Sequence, residues 1–310
     1  MSERPVPRVS IGLPVYNGER YLPAALDSLL GQTYPDFELV ISDNASTDRT
    51  EEICRAAAAR DPRVRYHRNE RNIGGSPNHN RVVHLSRGEL FVWGADDDLR
   101  APTYLERCVP VLDARPDVVI CFTRTQEIGA EGEPLPAQPY ALRTEAERPS
   151  DRFRELIRMD HRLDPIYGVI RMSVLRTTPL EGQYADCDRV LLAEIGLHGP
   201  FHQIPEELFF RRRHPGQSIQ VFPGRHQRTG WFDPDAKDPL VFPHFRQFRE
   251  YFSSIRRAPL SPAERRECFA AMAGWLAVNR SRLAVDLEYA GRWALRPAVR
   301  GLRRLGSGGP

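Results

Sequence analysis

Residues 37–51 read FELVISDNASTDRTE, and three kinds of local structure follow one another in that stretch. Phe37–Ile41 is a short apolar run with β-branched residues, the pattern of a buried strand. Asp43–Asp48 is a polar turn. Asp48 followed three residues later by Glu51 fits a capping box that opens a helix over 49–60. The same unit recurs on both sides. Val9–Leu13 ends at Pro14, Asn17-Gly18 marks a turn, and Tyr21–Leu30 repeats apolar residues at helical spacing. Downstream, Val64–His67 leads through the Gly-rich Asn72–Gly75 to a helix with Ser76-Pro77 as N-cap and first residue. Leu90–Trp93 leads to Ala95-Asp96-Asp97-Asp98. A helix follows Pro102 to about Ala114, and Val118–Phe122 is a fifth strand.

Strand–helix–strand repeated four times implies right-handed crossovers and an α/β fold with a doubly wound, mainly parallel sheet. Ligands of such sheets bind at the carboxyl ends of the strands. Four polar clusters stand at those ends: Pro14–Gly18, Asp43–Asp48, Asn69–Gly74 and Asp96–Asp98. The dinucleotide fingerprint GxGxxG is missing after the first strand, and no Gly-Lys pair exists for a phosphate-binding P-loop.

Composition narrows the classes further. The chain has 310 residues, 41% hydrophobic and 27% charged, which is globular and excludes low-complexity disorder. The longest apolar run, Phe269–Val278, is about half the ~18 residues of a spanning helix. MSERPVPRVS carries no secretory signal pattern, and five scattered cysteines form no CxxC pair, so a cytoplasmic protein is expected. The net charge of +3 is uneven: residues 280–310 carry seven Arg against Asp286 and Glu288, leaving the remainder at −2. That distribution does not fit a nucleic-acid binder.

Three adjacent aspartates after an apolar strand crowd like charges. Hard oxygen ligands in that setting suit Mg²⁺ or Mn²⁺, which bind one or two carboxylates together with substrate phosphates. With Pro14-Val15-Tyr16-Asn17, Asp43-Asn44-Ala45-Ser46-Thr47-Asp48, Asn72-Ile73-Gly74 and Ala95-Asp96-Asp97-Asp98-Leu99 in this order, the chain resembles the family 2 glycosyltransferases of GT-A fold. The resemblance covers roughly residues 8–215.

The resemblance implies a nucleotide pocket lined by Pro14, Tyr16 and Asn17, with Asp43 accepting a hydrogen bond from the base and Arg68 or Asn72 beside it. It implies Asp96 on the ribose or sugar and Asp97 on a metal that bridges the donor diphosphate, with Asp98 adjacent. The sequence departs from the family's Asp-x-Asp-Asp pattern at Gly94. In Tyr184–Glu194 the resemblance makes Asp188 the general base, with Asp186 in reserve; the plain alternative for Asp188 is a helix N-cap. His214, after Arg211-Arg212-Arg213, is placed at the metal or a phosphate. The three arginines either bind diphosphate or alternate across a strand.

The implied reaction is inverting transfer from a nucleotide sugar, UDP-linked first, to a saccharide, lipid-linked or small-molecule hydroxyl. A nucleotidyltransferase or a degenerate nucleotide-sugar-binding module is the alternative. The expected organisation is a catalytic domain over 1–220, with nucleotide-sugar binding in 8–125 and the acceptor side in 126–220. A mostly helical C-terminal extension follows over 221–310. Residues 129–150, rich in Pro, Glu and Gly, read as a mobile loop. Arg292, Arg296, Arg300 and Arg304 recur every four residues, interrupted at Pro297, and read either as a solvated tail or as a peripheral membrane contact.

Overall fold

The computed structural model describes residues 6–136, 142–158, 161–221 and 242–306, together with Gly224, Arg228 and Phe232. Of residues 292–306 it describes the backbone.

β1 (Val9–Val15), β2 (Phe37–Asp43) and β4 (Leu90–Trp93) are buried at every position, as strands covered on both faces must be. β3 (Val64–Arg68) is the edge beyond β2. These four run parallel to one another, and the ends of β1, β2 and β3 feed α1 (Leu22–Leu30), α2 (Thr50–Arg60) and α3 (Gly75–Leu85). The next elements are β5 (Leu99–Arg100), α4 (Tyr104–Ala114), β6 (Ile120–Ile128) and α5 (Pro149–Leu156). Then come β7 (Val169–Arg171), α6 (Met172–Leu175), α7 (Cys187–His198), β8 (Phe201–Arg212) and α8 (Ser218–Val221). The eight strands run in the order β3-β2-β1-β4-β7-β6-β8-β5. The sheet is therefore doubly wound and mainly parallel, with β7 and β5 antiparallel to their neighbours.

That order carries the acidic loop across the sheet. β4 lies at its centre and β5 at its far edge, so Asp96–Asp98 passes over the carboxyl end of the sheet between them.

Two helix starts differ from the sequence reading. α3 begins at Gly75 behind Gly74, whose φ of 93° suits a glycine, so Ser76 and Pro77 lie inside the first turn. The N-cap of α2 is Arg49, and Glu51 pairs with Arg55 and Arg68 instead of closing a capping box. Asp48 still accepts the Thr50 N–H at 3.0 Å. β6 runs on to Ile128, past the expected end at Phe122, because parallel pairing with β8 sustains it.

Beyond residue 242 the chain is helical, as α9 (Pro243–Arg257) and α10 (Pro262–Gly306). α10 passes through Pro297 without ending. One core face gathers Leu22, Leu26, Cys54, Tyr104 and Leu105 under α1, α2 and α4. The other joins Val82, Phe153 and Leu191 to Tyr251, Met272 and Trp275. The C-terminal helices thus share a core with α3, α5 and α7. All five cysteines are free and buried.

Candidate active site

A cavity of about 860 Å³ opens at the carboxyl ends of β1, β2 and β4. The β1–α1 loop forms one wall and is bonded to the β2–α2 loop. Asn17 N–H donates to Ser46 Oγ at 2.9 Å, Gly18 N–H to Thr50 Oγ1 at 2.9 Å and Glu19 N–H to Asp48 Oδ2 at 3.0 Å. Asn17 Oδ1 in turn accepts the Thr47 N–H at 2.8 Å. Asn17 and Ala45 adopt left-handed backbone, with φ of 54° and 61°, which costs a non-glycine residue about 1–2 kcal/mol and is held here by the cross-loop bonds. Pro14, Tyr16 and Asn17 line the cavity, with Tyr16 exposed at its mouth.

Asn72 lines it too; its side-chain oxygen accepts from Asn44 Nδ2 and from Gly74 N–H, both at 2.9 Å. Asp43 does not line the cavity. It is fully buried, and its carboxylate accepts from Ser46 N–H at 2.9 Å, Tyr66 Oη at 2.8 Å and Arg68 Nη1 at 2.5 Å. Its lone pairs are committed to orienting Tyr66 and Arg68, which corrects the expectation of a carboxylate open to a base.

The three aspartates part ways. Asp96 faces the cavity at Gly18, where an added Cβ would collide with its carboxylate. Burial, and then the Asp97 charge, push Asp96 up to about 7. Asp97 Oδ2 lies 3.0 Å from His214 Nε2. Asp98 turns into the protein: it is buried, accepts the Arg212 N–H at 2.8 Å, and is driven well above the carboxylate range by burial and Asp97. Asp97 and His214 are therefore brought together, whereas Asp98, which also lines the cavity, has one carboxylate oxygen on the Arg212 N–H. That oxygen is used to fix the end of β8.

Arg212 is the centre of that fixation. Its Nε donates to the Asp97 carbonyl at 2.8 Å, and its guanidinium stacks 4.8 Å from the Tyr21 ring, which packs against His214 at 4.7 Å. The arginine run alternates as a strand should: Arg211 and Arg213 both reach Glu127, and Arg211 also reaches Asp164. These guanidinia hold Glu127 down at about 2, against the opposing effect of burial.

Asp97 and His214 offer two donors, and among the described residues no cluster of three or more His, Cys, Asp or Glu is placed to hold a metal alone. Two protein donors beside a cavity large enough for a diphosphate suit a Mg²⁺- or Mn²⁺-type ion that takes its other ligands from substrate. The unrelieved crowding of Asp96, Asp97 and Asp98 points the same way.

Asp186 and Asp188 stand at the start of α7. Asp186 is its N-cap in left-handed conformation, φ 64°, and lies 3.6 Å from Arg228. Asp188 is half-buried, the second residue of the helix, and is not the N-cap. Burial first, then Asp186 and Glu181, push its carboxyl up to about 7. Its charge bears on His79 and on Tyr167, both of which line the cavity. His79, Glu181, Tyr21 and Tyr167 escaped the sequence reading. Tyr21 entered that reading only as the start of the first helix.

The family model of "Glycosyl transferase family 2" matches residues 10–176. An uncharacterized glycosyltransferase of Methanocaldococcus jannaschii is 29% identical over 137 residues, 44% of this chain and 47% of that protein. The chain thus spans about half the length of that relative. TarS residues 1–349 of S. aureus, solved in complex with UDP-GlcNAc, superpose with a TM-score of 0.63 at 18% identity, over 88% of this chain and 73% of theirs. The mannosyltransferase PcManGT of Pyrobaculum calidifontis, solved with GDP-Man and Mn2+, gives 0.52 at 19% identity, over 94% and 81%. At those identities the likeness concerns the fold, which is GT-A. The family match spans more than half of the sequence and carries the four strand-end clusters up to the acidic loop: the chain belongs to glycosyl transferase family 2.

Proposed function

We propose that this chain transfers a sugar from a nucleoside-diphosphate donor, a UDP-sugar first, to a hydroxyl acceptor with inversion at the anomeric carbon. The observation that carries the reading is the meeting of Asp97 with His214 at 3.0 Å in the cavity that Pro14, Asn17, Asn72 and Asp96 also line. UDP-GlcNAc in the TarS structure and GDP-Man with Mn2+ in PcManGT support a nucleotide-sugar donor on this fold.

Pro14, Tyr16 and Asn17 form the wall against which the nucleotide lies. Asp43 holds Arg68 and Tyr66 beneath that wall. Asp96 accepts hydrogen bonds from donor hydroxyls. Asp97 and His214 are the residues that hold Mn²⁺ or Mg²⁺, which when bound neutralises charge on the diphosphate. Asp188 accepts the acceptor hydroxyl proton as that oxygen bonds to the anomeric carbon. The bond from that carbon to the diphosphate oxygen breaks, and its electron pair leaves with the nucleoside diphosphate. A carboxyl poised near 7 suits a general base at neutral pH. Asp186 anchors the start of α7.

The acceptor carries a free hydroxyl on a saccharide, a lipid-linked carrier or a small molecule. No described helix is long and apolar enough to cross a membrane. The Arg-rich stretch after residue 280 fits peripheral contact with an anionic surface on the cytoplasmic side.

A thermal-shift series with nucleotide sugars, with and without Mn²⁺, tests the reading, since a ligand of the native state raises its stability. A UDP-sugar should raise Tm, more so with Mn²⁺, and slow turnover should release nucleoside diphosphate. Release of pyrophosphate, or no shift with any nucleotide sugar, would overturn it.

A further inference from the structure

α3 meets the site twice. Its first turn borders the cavity at Gly75, Asn78 and His79. The same turn and the next residue grip the loop that leads to Asp186 and Asp188. Asn80 Nδ2 donates to the Glu181 carbonyl at 2.8 Å, and the Glu181 N–H donates to Asn80 Oδ1 at 3.0 Å. One side-chain amide therefore satisfies both backbone groups of Glu181. His79 Nδ1 lies 3.4 Å from Glu181 Oε2, and Ser76 Oγ meets Cys187 Sγ at 3.4 Å.

The gripped loop is strained. Leu180 and Asp186 bracket it with φ of 61° and 64°, each costing a non-glycine residue about 1–2 kcal/mol. Such a conformation persists only where its surroundings over-determine it. Here the bonds that reach into the loop from α3 come from three residues within five positions of one helix. The helix whose N-terminal turn borders the donor cavity therefore also fixes the segment that leads to Asp188.

We propose that Asn80 and His79 clamp Glu181 and so hold Asp188 in register with the donor cavity, which makes both of them positioning residues for the transfer. The inference rests on Asp188 as the base. The charged groups facing His79 are Glu181, Asp188 and Asp96; those facing Asp188 are Asp186, Glu181 and Arg189. The Asn80 arm carries no charge, so it separates position from electrostatics.

The test compares Asn80→Ala, Asn80→Asp, Glu181→Gln and Asp188→Asn in the full chain. Turnover is read as UDP release from UDP-GlcNAc, or from whichever nucleotide sugar stabilises the protein, and UDP affinity is read by calorimetry. Asn80→Ala should lower kcat at least tenfold with donor KM and UDP affinity within twofold. A group that merely stabilised the fold would not produce that split. Asn80→Asp keeps the acceptor for the Glu181 N–H and should fall between. In the Asp188→Asn background, Asn80→Ala should add less than twofold, because a clamp has nothing left to position. Should Asn80→Ala fail to fold, Glu181→Gln weakens the His79 arm and also removes a charge facing Asp188, so the same kcat-selective loss should appear at pH 8, where Asp188 is ionised with or without that charge. Parental kcat in Asn80→Ala beside a dead Asp188→Asn overturns the clamp alone, as does simple multiplication of the two effects. Parental turnover in Asp188→Asn overturns the base, and the clamp with it.

Discussion

Of the two acidic turns, Asp96–Asp98 lines the cavity and Asp186–Asp188 stands outside its lining, and they are built in opposite ways. Asp96–Asp98 leaves the central strand β4 and is held from many directions: Gly18 against Asp96, His214 against Asp97, and the Arg212 backbone on Asp98. Asp186–Asp188 opens α7, met at Cys187 by Ser76 of α3 and at Asp186 by Arg228, with left-handed backbone at its N-cap. Asp96 and Asp188 are nevertheless pushed to the same value, about 7, by burial and neighbouring carboxylates. The first turn has cations within the protein and room for one more. At the second, Arg189 acts against the shift of Asp188 and Arg228 lies 3.6 Å from Asp186. Crowded carboxylates at the strand end thus await a ligand's charge, whereas Asp188 at the helix start ionises near neutrality, where a carboxylate can take a proton and give it up again.

The largest expected effect separates these two turns. Asp188→Asn keeps the oxygen that accepts the Arg189 N–H at 2.8 Å but cannot take a proton. It should lower turnover about 10²–10⁴-fold, the usual cost of removing a general base. In the parent, log kcat/KM should rise through pH about 7 as Asp188 ionises. The stability effect has the opposite sign. A carboxyl whose folded value is raised favours the folded state at low pH and loses that contribution as pH climbs to about 7. Asp188→Asn should therefore gain more Tm over the parent at pH 8 than at pH 5. A flat rate profile and equal Tm values at both pH values would remove the raised carboxyl from the account.

Next in size is the tie between α7 and the C-terminal helices. Glu194 is 1% exposed and accepts from Ser254 Oγ at 2.7 Å and Arg257 Nη2 at 2.6 Å. Glu194→Ala strands the guanidinium and should cost about 3 kcal/mol, the low end for a broken buried pair because Arg257 reaches solvent. Denaturant melts would show it. If the acidic start of α7 depends on this end of the helix, kcat should fall as well, while UDP affinity, set at the other turn, should not.

What the sequence made legible follows the same division. The strands β1 to β4 and their polar ends stood out because an all-buried strand followed by Asn, Asp and Gly has few other readings. Asp97 and His214 were named together through a resemblance, and they are neighbours. The different surroundings of Asp98 were not legible, because adjacent aspartates look alike until the pairing of β5 with β8 brings one of them to the Arg212 N–H. β7 is three residues long, and a strand so short has no periodicity to read. The clamp on Glu181 joins residues about a hundred positions apart through one side-chain amide, and no local pattern records that. Asp43 matched its motif while its carboxylate was already taken by Tyr66 and Arg68, neighbours that only the β2–β3 register supplies.

A smaller effect is expected at the seam of the donor loops. Gly18 lies where a Cβ would meet the Asp96 carboxylate and Val15. Gly18→Ala should push Asp96 from its place and raise donor KM about tenfold, an overpacking cost near 1.4 kcal/mol. Turnover at saturating donor should change less. Unchanged KM would mean that Asp96 has room to move and that the strand-end turn is less fixed than its contacts imply.

The smallest effect on catalysis is expected farthest from both turns. α10 spans 45 residues, about 67 Å at 1.5 Å per residue. Its buried positions Cys268, Met272, Trp275, Asn279 and Asp286 repeat at helical spacing and face the domain. Leu276, Val278, Val285 and Leu287 are exposed. The side chains of Arg292, Arg296, Arg300 and Arg304 lie outside the described residues, so the case for a membrane contact rests on their charge and spacing. Removing residues 292–310 deletes none of the residues named at either turn, and donor turnover should stay within twofold. Sedimentation with phosphatidylserine vesicles at low salt should fall sharply, since each basic residue near an anionic surface contributes about 1 kcal/mol and salt screens it. A parent protein that ignores such vesicles at low salt would leave the arginines as solvated surface, and the distinction between the two acidic turns would stand without them.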